Sequence, residues 1–277
     1  MTSLVNDQNN VYVTCYVLIP IISFIIIISS YYTLHIYKTF TLIKIIENEQ
    51  KTKLIYIKDI NTRVIDKLLM LVFNNIIVSI NDNNKLRQLL QNNSDKKISI
   101  IIKSTGGYVS SSDSMLNLLD NHKANKNIYV PSYAMSAATL LVFACNNIYM
   151  NNYAVVGPTD PQLSLFNDMV SFKAVYKLIE NKSIDKIKDK ILINYYENKI
   201  LYDDNIKIIT KYINKHKKKN ATQHDIDELI KMFSYGDIAH HTEINSRVLN
   251  KVFNINYVVP DDIMQIYNQM NYVFEII

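Results

Sequence analysis

The chain has 277 residues, 48% of them hydrophobic, and a net charge of +5, which allows one sizeable domain with a membrane anchor, or two small domains. Only three of its thirty basic residues are arginines (Arg63, Arg87 and Arg247), and its densest basic run, Lys215–Lys219, falls in a helical pattern. A nucleic-acid surface of arginines with interleaved aromatics is therefore not expected. The two cysteines, Cys15 and Cys145, lie in separate apolar segments without a C-x-x-C pair. That argues against a disulfide framework or a zinc site and fits a reducing compartment; no cofactor or metal is expected.

After ten polar residues, Val11 to Ile28 is an uncharged apolar run. With its flank, 11–33, it has the length of a transmembrane helix. Tyr12 and Tyr16 at one end and Tyr31, Tyr32 and Tyr37 at the other suit an interfacial aromatic belt, and Pro20 is tolerable within such a helix. The run lacks the basic n-region and small-residue cleavage site of a signal peptide. Lys38, Lys44, Lys51, Lys53 and Lys58 all follow the span and no basic residue precedes it, so the remainder is expected on the cytoplasmic side of a single-pass anchor. A juxtamembrane segment, 34–53, then leads to a strand near 54–57.

Apolar periodicity predicts a helix over 61–74, a strand at 76–80, a helix at 82–91 with Asp82 as its cap, and a strand at 98–103 of the type buried on both faces. Strand and helix then alternate: helix 110–122, strand 127–131, helix 136–145, strand 147–150, and a short extended piece at 154–156. This spacing predicts stacked βαβ units with right-handed crossovers. Beyond Gln162 the pattern is mostly helical, at 168–181, 184–200, 203–217, 223–234 and 244–252, with a short strand at 257–259 and a last helix from Pro260 to about Met270. The expectation is an α/β core with a helical C-terminal extension.

Three of the four glycines (Gly106, Gly107, Gly157) and three of the five prolines (Pro131, Pro158, Pro161) fall within 104–162. A chain that avoids glycine keeps a Gly-Gly pair where the backbone turns tightly or approaches something closely. Ser136 follows a strand and loop and opens an apolar helix, where free N–H groups and the helix dipole favour developing negative charge. A serine nucleophile needs such a turn, an oxyanion hole and a base. N–H groups from the Gly106-Gly107 turn and from Ala137 are the candidate donors. An N-cap serine beside an ordinary strand-to-helix turn is the simpler alternative.

The Gly106-Gly107 pair, Tyr133-Ala134-Met135-Ser136 and Val156-Gly157-Pro158-Thr159-Asp160-Pro161-Gln162-Leu163 together resemble the serine dehydrogenase proteinase family. That family is close to signal peptide peptidase A within the ClpP/crotonase clan. The resemblance runs through 104–107, 130–139 and 156–163, with weaker similarity over about 55–260. It implies a membrane-tethered serine peptidase with a ClpP/crotonase-like spiral core over 54–277, acting without ATP on a peptide or membrane-protein substrate and assembling as a homo-oligomer. Ser136 is the implied nucleophile. By analogy with signal peptide peptidase A the base is a lysine further along: Lys173, in Ser-Phe-Lys-Ala-Val, with Lys177 one turn on as the alternative. His240, in Gly-Asp-Ile-Ala-His-His-Thr-Glu-Ile, resembles the family's histidine motif and is a further candidate. Asp160 reads as a turn-former that the family motif retains.

The sequence departs from the family pattern at Thr105, where proline is usual, at Ala137-Ala138, where two glycines are usual, and at Thr242-Glu243 after the histidine pair. These departures keep two other readings open: a catalytically weak membrane scaffold, and an acyl-CoA enzyme on the same fold. The latter calls for paired acidic residues near the loops, and no such pair is evident.

Overall fold

The computed structural model describes residues 18–59, 69–165 and 168–275. Helix α1, Ile19–Glu49, is 31 residues long, about 46 Å at 1.5 Å per residue. Its first half is exposed and apolar enough to cross a membrane. The anchor expected over 11–33 therefore lies partly outside the described residues, and the expected juxtamembrane segment continues the same helix. Thr39, Ile43 and Ile46, spaced on one face, are buried.

The strands are β1 (Thr52–Lys58), β2 (Ile77–Ser79), β3 (Lys97–Lys103), β4 (Lys126–Val130), β5 (Tyr133–Ala134), β6 (Asn147–Met150), β7 (Val155–Val156), β8 (Gln162–Leu165), β9 (Asp168–Ser171), β10 (Ile244–Asn245) and β11 (Ile255–Asn256). The main sheet has the order β11-β6-β4-β3-β1-β2, and every pair in it is parallel. The helices after α1 are α2 (Asn83–Gln91), α3 (Val109–Asn121), α4 (Ala137–Phe143), α5 (Phe172–Glu180), α6 (Asp189–His216), α7 (Gln223–Ser234), α8 (Ser246–Leu249) and α9 (Asp261–Glu275).

Strand periodicity of two sorts the core onto the two sheet faces. Ile55, Ile57, Ile98, Ile100 and Ile102 pack with α3, α4, α6 and α7 through residues such as Met115, Leu141, Ile209 and Phe233. Leu54, Tyr56, Ile101 and Tyr129 face the other way, against α1 and α9, where Ile43, Ile46, Ile263 and Met270 are buried. Both faces of β1 and β3 are covered, which is why these strands read as continuous isoleucine-rich runs. Helix α4 is buried all round, as an apolar helix without a polar face must be.

Several expected elements shift. The two helices read at 184–200 and 203–217 are one helix, α6, because no glycine or proline interrupts it. The helix read from 168 begins at Phe172; residues before it form the β8–β9 hairpin, and Ser171 caps the helix by accepting the Ala174 N–H at 3.3 Å. The helix read at 244–252 divides into β10 and α8, and the last strand lies at Ile255–Asn256 rather than 257–259. Most of the helix read at 61–74 lies outside the described residues.

Helix α6 is tied to α3 through a single carboxylate. Asp120 accepts hydrogen bonds from Lys211 (2.7 Å), Tyr212 (3.0 Å) and Lys215 (2.7 Å). Burial pushes its pKa up, but these donors together outweigh burial and hold it at about 2. An unfolded aspartate titrates near 3.9. The carboxylate's stabilisation is therefore present above about pH 4 and is lost as pH falls through the folded value. Asp120→Asn should lower Tm at pH 7, and the gap to wild type should close between about pH 4 and 2. A gap that stays constant across that window would show that the charge is not what holds α3 to α6.

Candidate active site

The site forms where the C-terminal ends of β1, β3 and β4 meet. Asp59, directly after β1, receives the Ser104 hydroxyl, the Thr105 N–H (2.7 Å) and the Thr105 hydroxyl (2.8 Å). This clamp fixes the entry to the glycine pair. Gly106 has φ +115°, and a Cβ there would lie 2.8 Å from Ser136 Cβ and 3.0 Å from the Met135 carbonyl oxygen. The glycine is thus required both by backbone sign and by its approach to the serine turn. A Cβ at Gly107 would meet Asn81 Oδ1 at 2.4 Å, the same oxygen that accepts the Tyr108 N–H at 3.0 Å.

Ser136 stands between β5 and α4 with φ 52° and ψ −129°. That conformation costs a non-glycine residue about 1–3 kcal/mol and persists only where the surroundings over-determine it. They do so here. Met135 donates its N–H to the Ser104 carbonyl at 2.9 Å, and Ala138 and Thr139 close the first turn back onto Met135 and Ser136. Thr139 Oγ1 lies 2.8 Å from the carbonyl oxygens of both Ala134 and Gly157 and accepts the Gly157 N–H at 3.1 Å. That hydroxyl joins the serine turn to the Gly157–Pro161 turn.

Asp160 lies in the second turn and is 2% exposed. Thr159 anchors the turn by donating its N–H to the Phe233 carbonyl at 2.7 Å. The third segment follows α7: Gly236, with φ +65°, reverses the chain after the helix. A Cβ there would stand 3.0 Å from Asp160 Oδ2. The reversal delivers His240 to the site. His240 Nδ1 is 2.8 Å from Asp160 Oδ1, and His240 Nε2 is 3.0 Å from Ser136 Oγ. An ionised carboxylate only accepts, so Nδ1 carries the proton and Nε2 is left to accept from the serine hydroxyl. The other Asp160 oxygen accepts from Gln162 Nε2 at 2.9 Å.

Serine, histidine and aspartate side chains therefore meet in hydrogen-bonding order, although their sequence positions are 136, 240 and 160. They line a cleft of about 650 Å³. Among the described residues, the N–H groups of Gly107 and Ala137 at the edge of that cleft have no protein acceptor, whereas Gly106 donates its N–H to Ser104 Oγ at 3.0 Å. Two of the three expected oxyanion donors are thus free, and Gly106 serves by shape instead.

The lysine expectation fares differently. Lys173 makes an ion pair with Asp237, and Lys177 is exposed. Burial, with Lys177 and Lys231 nearby, works to lower the Lys173 pKa. The Asp237 carboxylate in direct contact works the other way, favouring the ammonium form. The side chain within hydrogen-bonding distance of Ser136 Oγ is His240, while Lys173 is engaged by Asp237. Asp160 is the residue that sequence reasoning missed. Its signal was weak: a carboxylate held between Pro158 and Pro161, in a turn that aspartate also favours for local reasons. No group of three or more His, Cys, Asp or Glu side chains among the described residues is placed to hold a metal ion.

The chain belongs to the ClpP-like SDH-type serine proteinases, whose family model matches residues 5–273. It is 38% identical over 99 residues to the protein MJ0137 of Methanocaldococcus jannaschii, covering 36% of this chain and 33% of that one. To MJ1495 of the same organism it is 27% identical over 187 residues, covering 63% and 61%. The chain thus spans less than two thirds of the length of either relative. Among solved structures, a mutant of the 1510-N membrane-bound stomatin-specific protease aligns over 78% of this chain and 86% of that one, at 11% identity and a TM-score of 0.43. The ClpP protease catalytic domain of Plasmodium falciparum aligns over 75% and 87%, at 14% identity and a TM-score of 0.39.

The glycines of this site differ in what they tolerate. Gly106→Ala forces a positive-φ alanine against backbone, and should destabilise by more than about 1 kcal/mol in denaturant unfolding. Gly157→Ala brings its Cβ against the end of the Met135 side chain only, which can move aside, so its cost should be smaller. The reverse order would mean that the Gly106 loop relaxes away from Ser136.

Proposed function

We propose that this protein is a serine peptidase in which Ser136, His240 and Asp160 act as a catalytic triad. The observation that carries the reading is His240, within hydrogen-bonding distance of Ser136 Oγ on one side and of the buried Asp160 carboxylate on the other. His240 Nε2 takes the Ser136 proton as Oγ attacks a peptide carbonyl carbon. The N–H groups of Gly107 and Ala137 hold the oxyanion that forms. His240 returns the proton to the leaving amine, and Asp160 orients the imidazole and stabilises its cationic form. Water then enters and gives a proton to His240 as its oxygen attacks the acyl carbon; the bond to Ser136 Oγ breaks, Oγ takes the proton back from His240, and the acyl group leaves as a carboxylic acid. Lys173, paired with Asp237, takes no part in proton transfer, so the triad replaces the expected Ser136–Lys173 dyad. No step calls for ATP.

The peptidase domain is tethered by α1. Its exposed apolar half, the tyrosines at 31, 32 and 37 and the lysines that follow support a single crossing with the domain on the cytoplasmic side. Peptides or membrane-protein segments are the substrates, and the working form is a homo-oligomer.

A fluorophosphonate probe tests the reading. Wild-type protein should label; Ser136→Ala should not. His240→Ala should label at least about a hundredfold more slowly, while Lys173→Ala stays within a few-fold of wild type. Fast labelling of His240→Ala together with loss in Lys173→Ala would restore the lysine as base.

A further inference from the structure

Among the polar side chains that line the cleft beside Ser136, Asn205 is buried with one end of its amide unpaired. Asn205 projects from the middle of α6, is 1% exposed, and lines the cleft with Ser136, Thr159, Asp160 and His240. Its Oδ1 lies 3.1 Å from Thr159 Oγ1, but its Nδ2 is buried without a hydrogen-bond partner. Exchanging the two amide atoms does not remove the deficit. The Thr159 hydroxyl has one proton, and the Phe233 carbonyl at 3.0 Å is available to take it. In the exchanged orientation the amide nitrogen donates to Thr159 Oγ1 and the carbonyl oxygen is left at the unmatched position. Either way, one end of a buried amide has nothing from the protein to bond.

Its surroundings do not require an amide. Ile209 and Ile213, one and two turns further along α6, are fully buried and apolar, and a leucine of similar size at 205 would leave no polar group unmatched. A buried amide with one end unpaired costs stability, and such a cost is typical of groups kept for a bound partner. A peptide main chain offers both a carbonyl and an N–H, and so matches the free end in either amide orientation.

We propose that Asn205 is a substrate-positioning residue whose side-chain amide hydrogen-bonds the main chain of a peptide lying across Ser136. The proposal rests on the peptidase reading of this site and adds to it a contact made to backbone rather than to a substrate side chain. The amide therefore contributes affinity and register without selecting sequence.

The test measures binding of fluorescein-labelled casein, by anisotropy, to the full chain carrying Ser136→Ala, with and without Asn205→Leu. Asn205→Ala serves as a second variant. Casein should bind about tenfold more weakly to both Asn205 variants, while the Tm of Asn205→Leu is equal to or above that of its parent. Binding within twofold of the parent in both variants overturns the proposal. So does weaker binding with a Tm lowered by several degrees in both, the behaviour of a structural residue, and so does an absence of casein binding to the Ser136→Ala parent. Because binding is read without the Ser136 hydroxyl, the result is independent of turnover. The peptidase reading fails separately, if protein with Ser136 intact neither reacts with fluorophosphonate nor cleaves casein.

Discussion

Three two-residue strands hold the site together. In the order β10-β7-β5 they form a small sheet apart from the main one: Tyr133 pairs with Val155, Ala134 with Val156, and Val156 in turn with Ile244. Each strand sits a few residues from one of the three side chains that meet in the cleft. Ser136 follows β5, Asp160 follows β7, and His240 precedes β10. Hydrogen-bond register in this sheet therefore converts positions far apart in sequence into contacts of about one hydrogen-bond length. A slip of one residue in any pair would turn its side chains to the other face and dismantle the arrangement. The Thr139 hydroxyl, bonded to both the serine turn and the Gly157 turn, fastens two of these three segments a second time.

The main sheet supplies what the small one lacks, a fixed floor. β1, β3 and β4 run parallel and end at the same level, so the Asp59 carboxylate, the glycine pair and the loop to Ser136 emerge side by side. Strain is concentrated at Ser136, whose positive φ is held by backbone hydrogen bonds on both sides and by a glycine that leaves room for it. Such strain is tolerable because the surrounding core is dense: Phe143 at the end of α4 packs against Phe233 and Phe253 at ring-centroid distances of 5.0 Å. The same packing aligns α4 behind the serine, with its first residue, Ala137, at the edge of the cleft.

Much of this was legible in the sequence. The isoleucine-rich strands, the glycine pair and the serine at the start of an apolar helix all follow from periodicity and from the scarcity of glycine. Asp82 was readable as a cap and accepts the Lys85 N–H at 3.0 Å. The choice among Lys173, Lys177 and His240 as partner of Ser136 was not legible. Lys173 lies on an amphipathic helix among apolar neighbours, a setting that suits a depressed lysine pKa, and only three dimensions show Asp237 paired with it and His240 beside Ser136. Asp160 and His240 are brought together by strands of two residues, too short to leave a period in the sequence. Their pairing depends on a helix-ending glycine, Gly236, whose tertiary neighbour cannot be read from its own surroundings.

Helix α1 and the cleft are mechanically continuous. Helix α1 does not end where its apolar half ends; it runs on for several turns and docks on α9, with Thr39 Oγ1 2.9 Å from Gln269 Oε1 and His35 stacked on Tyr272 at 4.9 Å. One turn back along α9, the Tyr267 hydroxyl donates to Ser132 Oγ at 2.6 Å. Ser132 belongs to the loop that leads into β5, and its carbonyl accepts the Val155 N–H that starts β7. Helix α1 is joined to the loops around Ser136 by packed side chains rather than by a flexible linker. The height and tilt of the cleft relative to the helix axis are then set by the α1–α9 interface.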